Sequence, residues 1–191
     1  MKLALFGTSM GGAIAHLTHH HEPTKWDGVM LQAPMMRYSA KPAAWIVEVL
    51  KVVSYVLPEL PAVGGPVQDN QLQFGDPAYA AMCDTDPLPY RGKVRLATGR
   101  ECIAMMAEVE RIMGDEAFTG EKDTPLYIFH GDADPIIPVE GSQAHHEVCR
   151  ATDKTLRVWP GAKHVPICEL PEEREKVIAE AMAWVEDRLG L

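Results

Sequence analysis

Two hydrophobic spacings alternate along this chain. Short unbroken apolar runs are bounded by glycine or proline, and between them lie longer stretches with apolar residues at helical intervals. Leu3-Ala4-Leu5-Phe6 follows a single lysine and predicts a short buried strand over 2–6. A helix over 11–20 is expected next, and its small face of Gly12, Ala13 and Ala15 suits close packing on a sheet. Asp27-Gly28 then leads into Val29-Met30-Leu31, a second buried strand that stops at Gln32-Ala33-Pro34. Strand, helix and strand in so short a span form a βαβ unit, hence a parallel sheet with a right-handed crossover.

Residues 35–123 follow a different pattern. Two amphipathic stretches, 43–56 and 100–113, predict helices, the first with Trp45, Ile46, Val49, Leu50 and Val53 on one face. Between them, 57–89 is rich in proline and glycine and predicts irregular chain. This segment reads as a helical insertion, not a sheet layer. The core pattern returns with a third strand at 125–129, a helix at 139–149, an alternating fourth strand at 155–159 and an amphipathic helix at 172–188. Val177, Ile178, Ala181, Met182, Trp184, Val185 and Leu189 are expected on the inner face of that last helix. The pattern predicts one α/β domain over 1–191, with a parallel sheet of about four strands flanked by helices.

Composition narrows the function. A chain of 191 residues with 47% hydrophobic and 24% charged residues is an ordinary globular protein. A net charge of −9 argues against a nucleic-acid partner and against a polybasic membrane anchor. No apolar run approaches a membrane-spanning length, and the N-terminal run is too short for a signal-peptide core. Cys83, Cys102, Cys149 and Cys168 match no zinc spacing and read as reduced thiols, which predicts a cytoplasmic location.

The candidate chemistry begins at Gly7-Thr8-Ser9-Met10-Gly11, a G-x-S-x-G pentapeptide between a predicted strand and a predicted helix. That is the context of a nucleophile elbow, in which a strained turn pushes a serine out of the sheet. Gly7 and Gly11 are expected to be small because strand and helix backbones nearly touch there. Alone, the motif is common enough to be an ordinary glycine turn. A serine nucleophile also needs a base and an orienting acid, and in parallel sheets these sit beyond the carboxyl ends of strands. Asp132 and Asp134 follow the third strand, and His164 follows the fourth. The order Ser, Asp, His is the one this fold uses. Ser9 is therefore the candidate nucleophile, His164 the base and Asp134 the acid, with the Met10 backbone N–H in the oxyanion hole. Asp134 is preferred to Asp132 because it directly precedes Pro135, where the loop must turn. Either aspartate could instead cap the following helix, a role better suited to Asp132. His16, His19, His20 and His21 read as a solvated helix end and not a metal site, and His145-His146 as exposed helix surface. His130 reads as a structural residue at a strand end, and Met35, Met36, Met105 and Met106 as gap-filling core or lid residues.

With these residues in view, the chain resembles the monoacylglycerol-lipase and lysophospholipase group of α/β-hydrolases, the set also labelled serine aminopeptidase-like hydrolases. The matching pieces are Leu5 to Ala15 around the elbow, Asp27 to Met35, Phe129 to Asp134, and Trp159 to His164. The Ser9-Met10-Gly11-Gly12 form of the elbow is the most specific of them. The resemblance covers essentially the whole chain and makes 35–123 similar to that family's lid. It implies hydrolysis of carboxylic esters of acyl lipids, monoacylglycerol or lysophospholipid, by an acyl-enzyme route without metal or organic cofactor. It also implies an apolar acyl site in the lid, for which Trp45, Ile46, Val49 and Leu50 are candidates; the same face could equally pack onto the body.

Family members carry further strands before the elbow strand, and a His-Gly loop among them supplies a second oxyanion donor. The expectation is a partial α/β-hydrolase fold, the C-terminal part of a hydrolase, with the elbow strand at a sheet edge exposing unpaired backbone and apolar side chains. The alternative function is a catalytically impaired remnant that binds an acyl ligand or a partner; a peptidase or thioesterase of the same fold is a third reading. The expected partner is a small-molecule acyl ester, and the arrangement would allow peripheral membrane contact through the lid and association through the exposed edge strand.

Overall fold

A computed structural model of the protein describes residues 2–37, 43–62, 69–113 and 123–190. Four strands, β1 (Ala4–Thr8), β2 (Gly28–Gln32), β3 (Leu126–Gly131) and β4 (Lys154–Trp159), form one sheet. All three pairings are parallel and the strand order is β1-β2-β3-β4. β2 and β3 are buried at every position, as their unbroken apolar runs require of central parallel strands. β1 lies at an edge, and Phe6 on it is 52% exposed. The expected exposure of apolar side chains along the elbow strand is thus present at Phe6.

The two-residue period of the strands sorts the core into two layers. Val29, Leu31, Leu126 and Ile128 point to one face, where they meet Ala13 and Ala15 of α1 (Met10–His21) and Val109 and Ile112 of α5 (Leu96–Met113). Met30, Tyr127 and Phe129 point to the other, against Val177, Ala181 and Trp184 of α7 (Pro171–Leu189). Pro171 in the first turn, Glu172 and Glu173 beside it, Arg188 in the last turn and Gly190 left-handed at φ 66° define the ends of α7. Ile178 and Met182, expected on its inner face, are instead 43% and 48% exposed. The sheet meets the helix along one stripe, Val177, Ala181 and Trp184, and these two lie beside it.

The described residues between β2 and β3 include the helices α2 (Ala44–Val56), α3 (Asn70–Gln73), α4 (Pro77–Thr85) and α5. α3 and α4 correct the expectation of irregular chain over 57–89. Both begin at an aspartate, Asp69 and Asp76, whose side chain accepts the N–H two residues on. Gly64, Gly65 and Pro66 of that stretch lie outside the described residues. α6 (Val139–Val148) connects β3 to β4, and a short 3₁₀ turn, Pro166–Cys168, precedes α7. Trp45, Val49 and Leu50 on α2 are exposed, so packing of that face onto the body does not hold for them. Among the described residues no helix is long and apolar enough to cross a membrane.

Candidate active site

Ser9 stands between β1 and α1 with φ 56° and ψ −122°, a backbone conformation rare for a residue with a Cβ. Four main-chain hydrogen bonds hold it there. Its N–H donates to Gln32 O, and its carbonyl accepts from Gly12, Ala13 and Met35 N–H. Side-chain bulk is excluded on both flanks of the turn. A Cβ on Gly7 would sit 2.3 Å from the Gly11 carbonyl oxygen, and one on Gly12 would sit 2.7 Å from Pro34 Cβ. The expectation that Gly11 is itself crowded is corrected: a Cβ there meets nothing within 4 Å. Gly7 and Gly12 are the positions where strand, helix and the Pro34 turn close on one another.

Asp134 follows β3 and His164 follows β4. His164 Nδ1 and Asp134 Oδ2 are 2.6 Å apart, and both side chains are almost fully buried. Asp134 Oδ1 accepts from Ile136 N–H at 2.8 Å and Ile137 N–H at 3.1 Å. Burial pushes the Asp134 carboxyl up, but hydrogen bonds from His130 and His164, the His164 charge and the Ile136 N–H outweigh it and hold the group well below the usual carboxylate range. The carboxylate is therefore ionised and aimed at the imidazole.

Neither aspartate caps α6, which corrects the capping alternative; the residue at that N-cap is Pro138. Asp132 is exposed, and its carboxylate accepts Gly161 N–H at 2.6 Å, which ties the β3 loop to the β4 loop. Asp134, not Asp132, meets the histidine. Ser9 lies farther off, since β1 and β4 are opposite edges of the sheet, roughly 14 Å apart at ordinary strand spacing. The described structure contains no hydrogen bond between Ser9 Oγ and His164. The loop after β4 nevertheless runs back over the end of β3. A Cβ on Gly131 would be 2.1 Å from Ala162 O, and Ala133 N–H donates to that same carbonyl.

Several contacts here were not legible in the sequence. His130, fully buried, places Nε2 3.0 Å from Asp134 Oδ2 and Nδ1 2.7 Å from Ser142 Oγ. Glu169 accepts Lys163 N–H at 2.6 Å, which fixes the peptide next to His164. The same loop is stitched to the helical segment by Lys163 Nζ on Gln71 O and Val165 N–H on Gln73 O. Only the nearness of Glu169 to His164 in sequence hinted at that contact. His16 and His145 are also buried, not solvated as expected, and their rings meet edge to face at 4.6 Å between α1 and α6. Met10, beside the nucleophile candidate, is 45% exposed and touches Cys102 of α5 through sulfur at 3.8 Å. Among the described residues no cluster of three or more histidine, cysteine or carboxylate side chains could hold a metal ion.

Known proteins resemble the chain in sequence and in fold. The mouse monoglyceride lipase is 30% identical over 191 residues, which cover 100% of this chain and 60% of that protein. The human monoglyceride lipase is 31% identical and matches 98% of this chain and 59% of its own length. The caffeoylshikimate esterase of Arabidopsis thaliana is 28% identical. The chain thus spans about 60% of the length of the curated relatives it matches. The crystal structure of Paleococcus ferrophilus monoacylglycerol lipase superposes with a TM-score of 0.81 at 26% identity, over 98% of this chain and 69% of that one. A monoglyceride lipase structure from Saccharomyces cerevisiae, at 21% identity and the same TM-score, shares the fold. The family model described as serine aminopeptidase, S33, matches residues 1–171, and the chain belongs to that family of α/β-hydrolases.

Proposed function

We propose that the protein is a serine hydrolase acting on carboxylic esters of acyl lipids, with Ser9, His164 and Asp134 as its triad. The observation that carries this reading is the strained backbone of Ser9, held by four main-chain hydrogen bonds at a sheet end. A positive φ at a non-glycine residue persists only where its surroundings enforce it, and such strain gathers at functional sites. His164 takes the Ser9 proton as Oγ attacks the ester carbonyl, and Asp134 stabilises the imidazolium that forms. The Met10 N–H, at the start of α1, donates to the oxyanion. His164 returns the proton to the departing alkoxide, leaving an acyl-Ser9 that water hydrolyses by the same steps in reverse.

Two observations support an acyl lipid over a peptide. The relatives named above are lipases and an esterase. Trp45, Val49 and Leu50 also leave an exposed apolar face on α2, within the segment we assign as the lid over 35–123. The four thiols are unpaired, which fits action in a reducing compartment, the cytoplasm.

A fluorophosphonate probe tests the reading. Labelling is expected on Ser9, abolished in Ser9→Ala, and competed by monoacylglycerols. A folded chain that takes no label at Ser9 sinks the hydrolase reading for these residues.

A further inference from the structure

The Asp134 carboxylate receives more donors than a triad acid needs. Oδ2 faces two imidazoles, His164 Nδ1 at 2.6 Å and His130 Nε2 at 3.0 Å. Oδ1 takes the two backbone N–H groups of Ile136 and Ile137. His130 is fully buried at the end of β3, and its Nε2 also faces Ile137 O at 3.1 Å. With two acceptors in front of it, Nε2 must carry the proton. In the neutral ring Nδ1 is then a lone-pair acceptor, and the buried Ser142 Oγ, 2.7 Å away on α6, donates to it.

We infer that His130 is a positioning residue: its Nε2–H, with Ser142 Oγ held against Nδ1 behind it, pins Asp134 Oδ2 where it receives His164 Nδ1. The inference rests on the triad reading for its consequence in catalysis, but the geometry it describes is independent of turnover. The physical reason is rotational. The two backbone donors act on Oδ1 alone, so χ1 and χ2 of Asp134 are held from one side only. The bond from His130 restrains the second oxygen, and rigid strand and helix hold His130 itself. Ser142 extends the chain of hydrogen bonds from α6 through β3 to the loop after β4.

The test reads the His164 Nδ1 proton by NMR in the full chain, alongside the rate of fluorophosphonate labelling at Ser9. The wild-type proton is expected far downfield and slow to exchange. His130→Leu removes the donor at similar volume and should move the resonance upfield and speed its exchange. Labelling should fall by about 10²-fold, the size of effect that a small misplacement of a catalytic group produces. His130→Gln, whose amide N–H reaches the same point, should restore most of both. Ser142→Ala should shift the resonance in the same direction, and with the glutamine variant it decides the matter if His130→Leu does not fold. An unshifted resonance in folded His130→Leu, or glutamine and leucine variants that behave alike, overturns the inference. Absence of Ser9 labelling in the wild-type chain overturns the esterase reading alone, because the resonance reports without it.

Discussion

At the residue scale, a few atoms hold the site in shape. Gly7 has no room for a methyl group, since its Cβ would strike the Gly11 carbonyl at 2.3 Å and Ala15 Cβ at 2.9 Å. Gly7→Ala should therefore cost more than about 2 kcal/mol in denaturant unfolding, whereas Gly11→Ala, with open space around it, should be nearly neutral by the same measurement. Asp134→Asn keeps the shape of the side chain but removes its charge, and its amide can present N–H where His164 needs an acceptor. Fluorophosphonate labelling of Ser9 should fall by about 10³–10⁴-fold in that variant with the fold intact. The candidate residues Ser9, Asp134 and His164 were readable in the sequence because each stands in a short motif at a strand end. His130 was not, although it lies in the same motif as Asp134: a histidine after a strand is chemically ambiguous until its ring nitrogens have partners, and Ser142 comes from a separate helix.

At the scale of elements, packing decides what periodicity leaves open. Trp184 on α7 stacks on Tyr127 of β3 with ring centroids 5.6 Å apart and lies where a Cβ on Gly28 would touch it. Trp184→Ala should lose about 3–5 kcal/mol, measured by chemical unfolding. His16 and His145 join α1 to α6 through buried rings. Burial, and after it the neighbouring charge of His145, pushes His16 well below its ordinary value. Burial, followed by His19, His146 and Lys154, brings His145 down to about 3. Both rings are neutral in the folded state and gain protons more readily when unfolded. Their contribution to stability is thus whole above about pH 6.5 and is lost as the pH falls below it, for His145 toward 3. Unfolding midpoints should decline across that window, and replacing both rings with leucine should flatten the decline. Helical spacing placed His16 at the end of a polar histidine run, and only the approach of α6 shows that it faces inward.

At the scale of the whole molecule, the sheet is asymmetric. Among the described residues, β2 and β3 are buried throughout and paired on both sides, while β1 and β4 each have one neighbour. Backbone amides of β1 should exchange with solvent faster than those of β2 and β3, as hydrogen exchange followed by NMR would show. The same topology sets the distance the site must span. Asp134 and His164 come from adjacent strands, whereas Ser9 comes from the far edge, so the loop after β4 has to fold back across the end of β3. Gly131, Asp132 and Glu169 make that fold-back, through close approach, a loop-to-loop hydrogen bond and a clasp on Lys163. Labelling of Ser9 in Glu169→Gln should therefore slow without loss of the sheet, because the clasp loses its charge while the strands keep their pairs.

The sequence by itself determined the order of the four strands and of the helices packed on them, the parallel sheet, and Ser9, Asp134 and His164 as the candidate residues. These depend on local patterns: period-2 and period-3.6 burial, glycines at a turn, and polar residues just after apolar runs. Only the tertiary structure decided that His130 and Ser142 stand behind Asp134, that His16 and His145 are buried, and that Gly12, not Gly11, is the crowded glycine of the turn. Each of those facts is a contact between elements far apart in the chain. Spacing along one element says which face a residue occupies, but the neighbour across that face comes from another segment, and its distance is set by how the layers close.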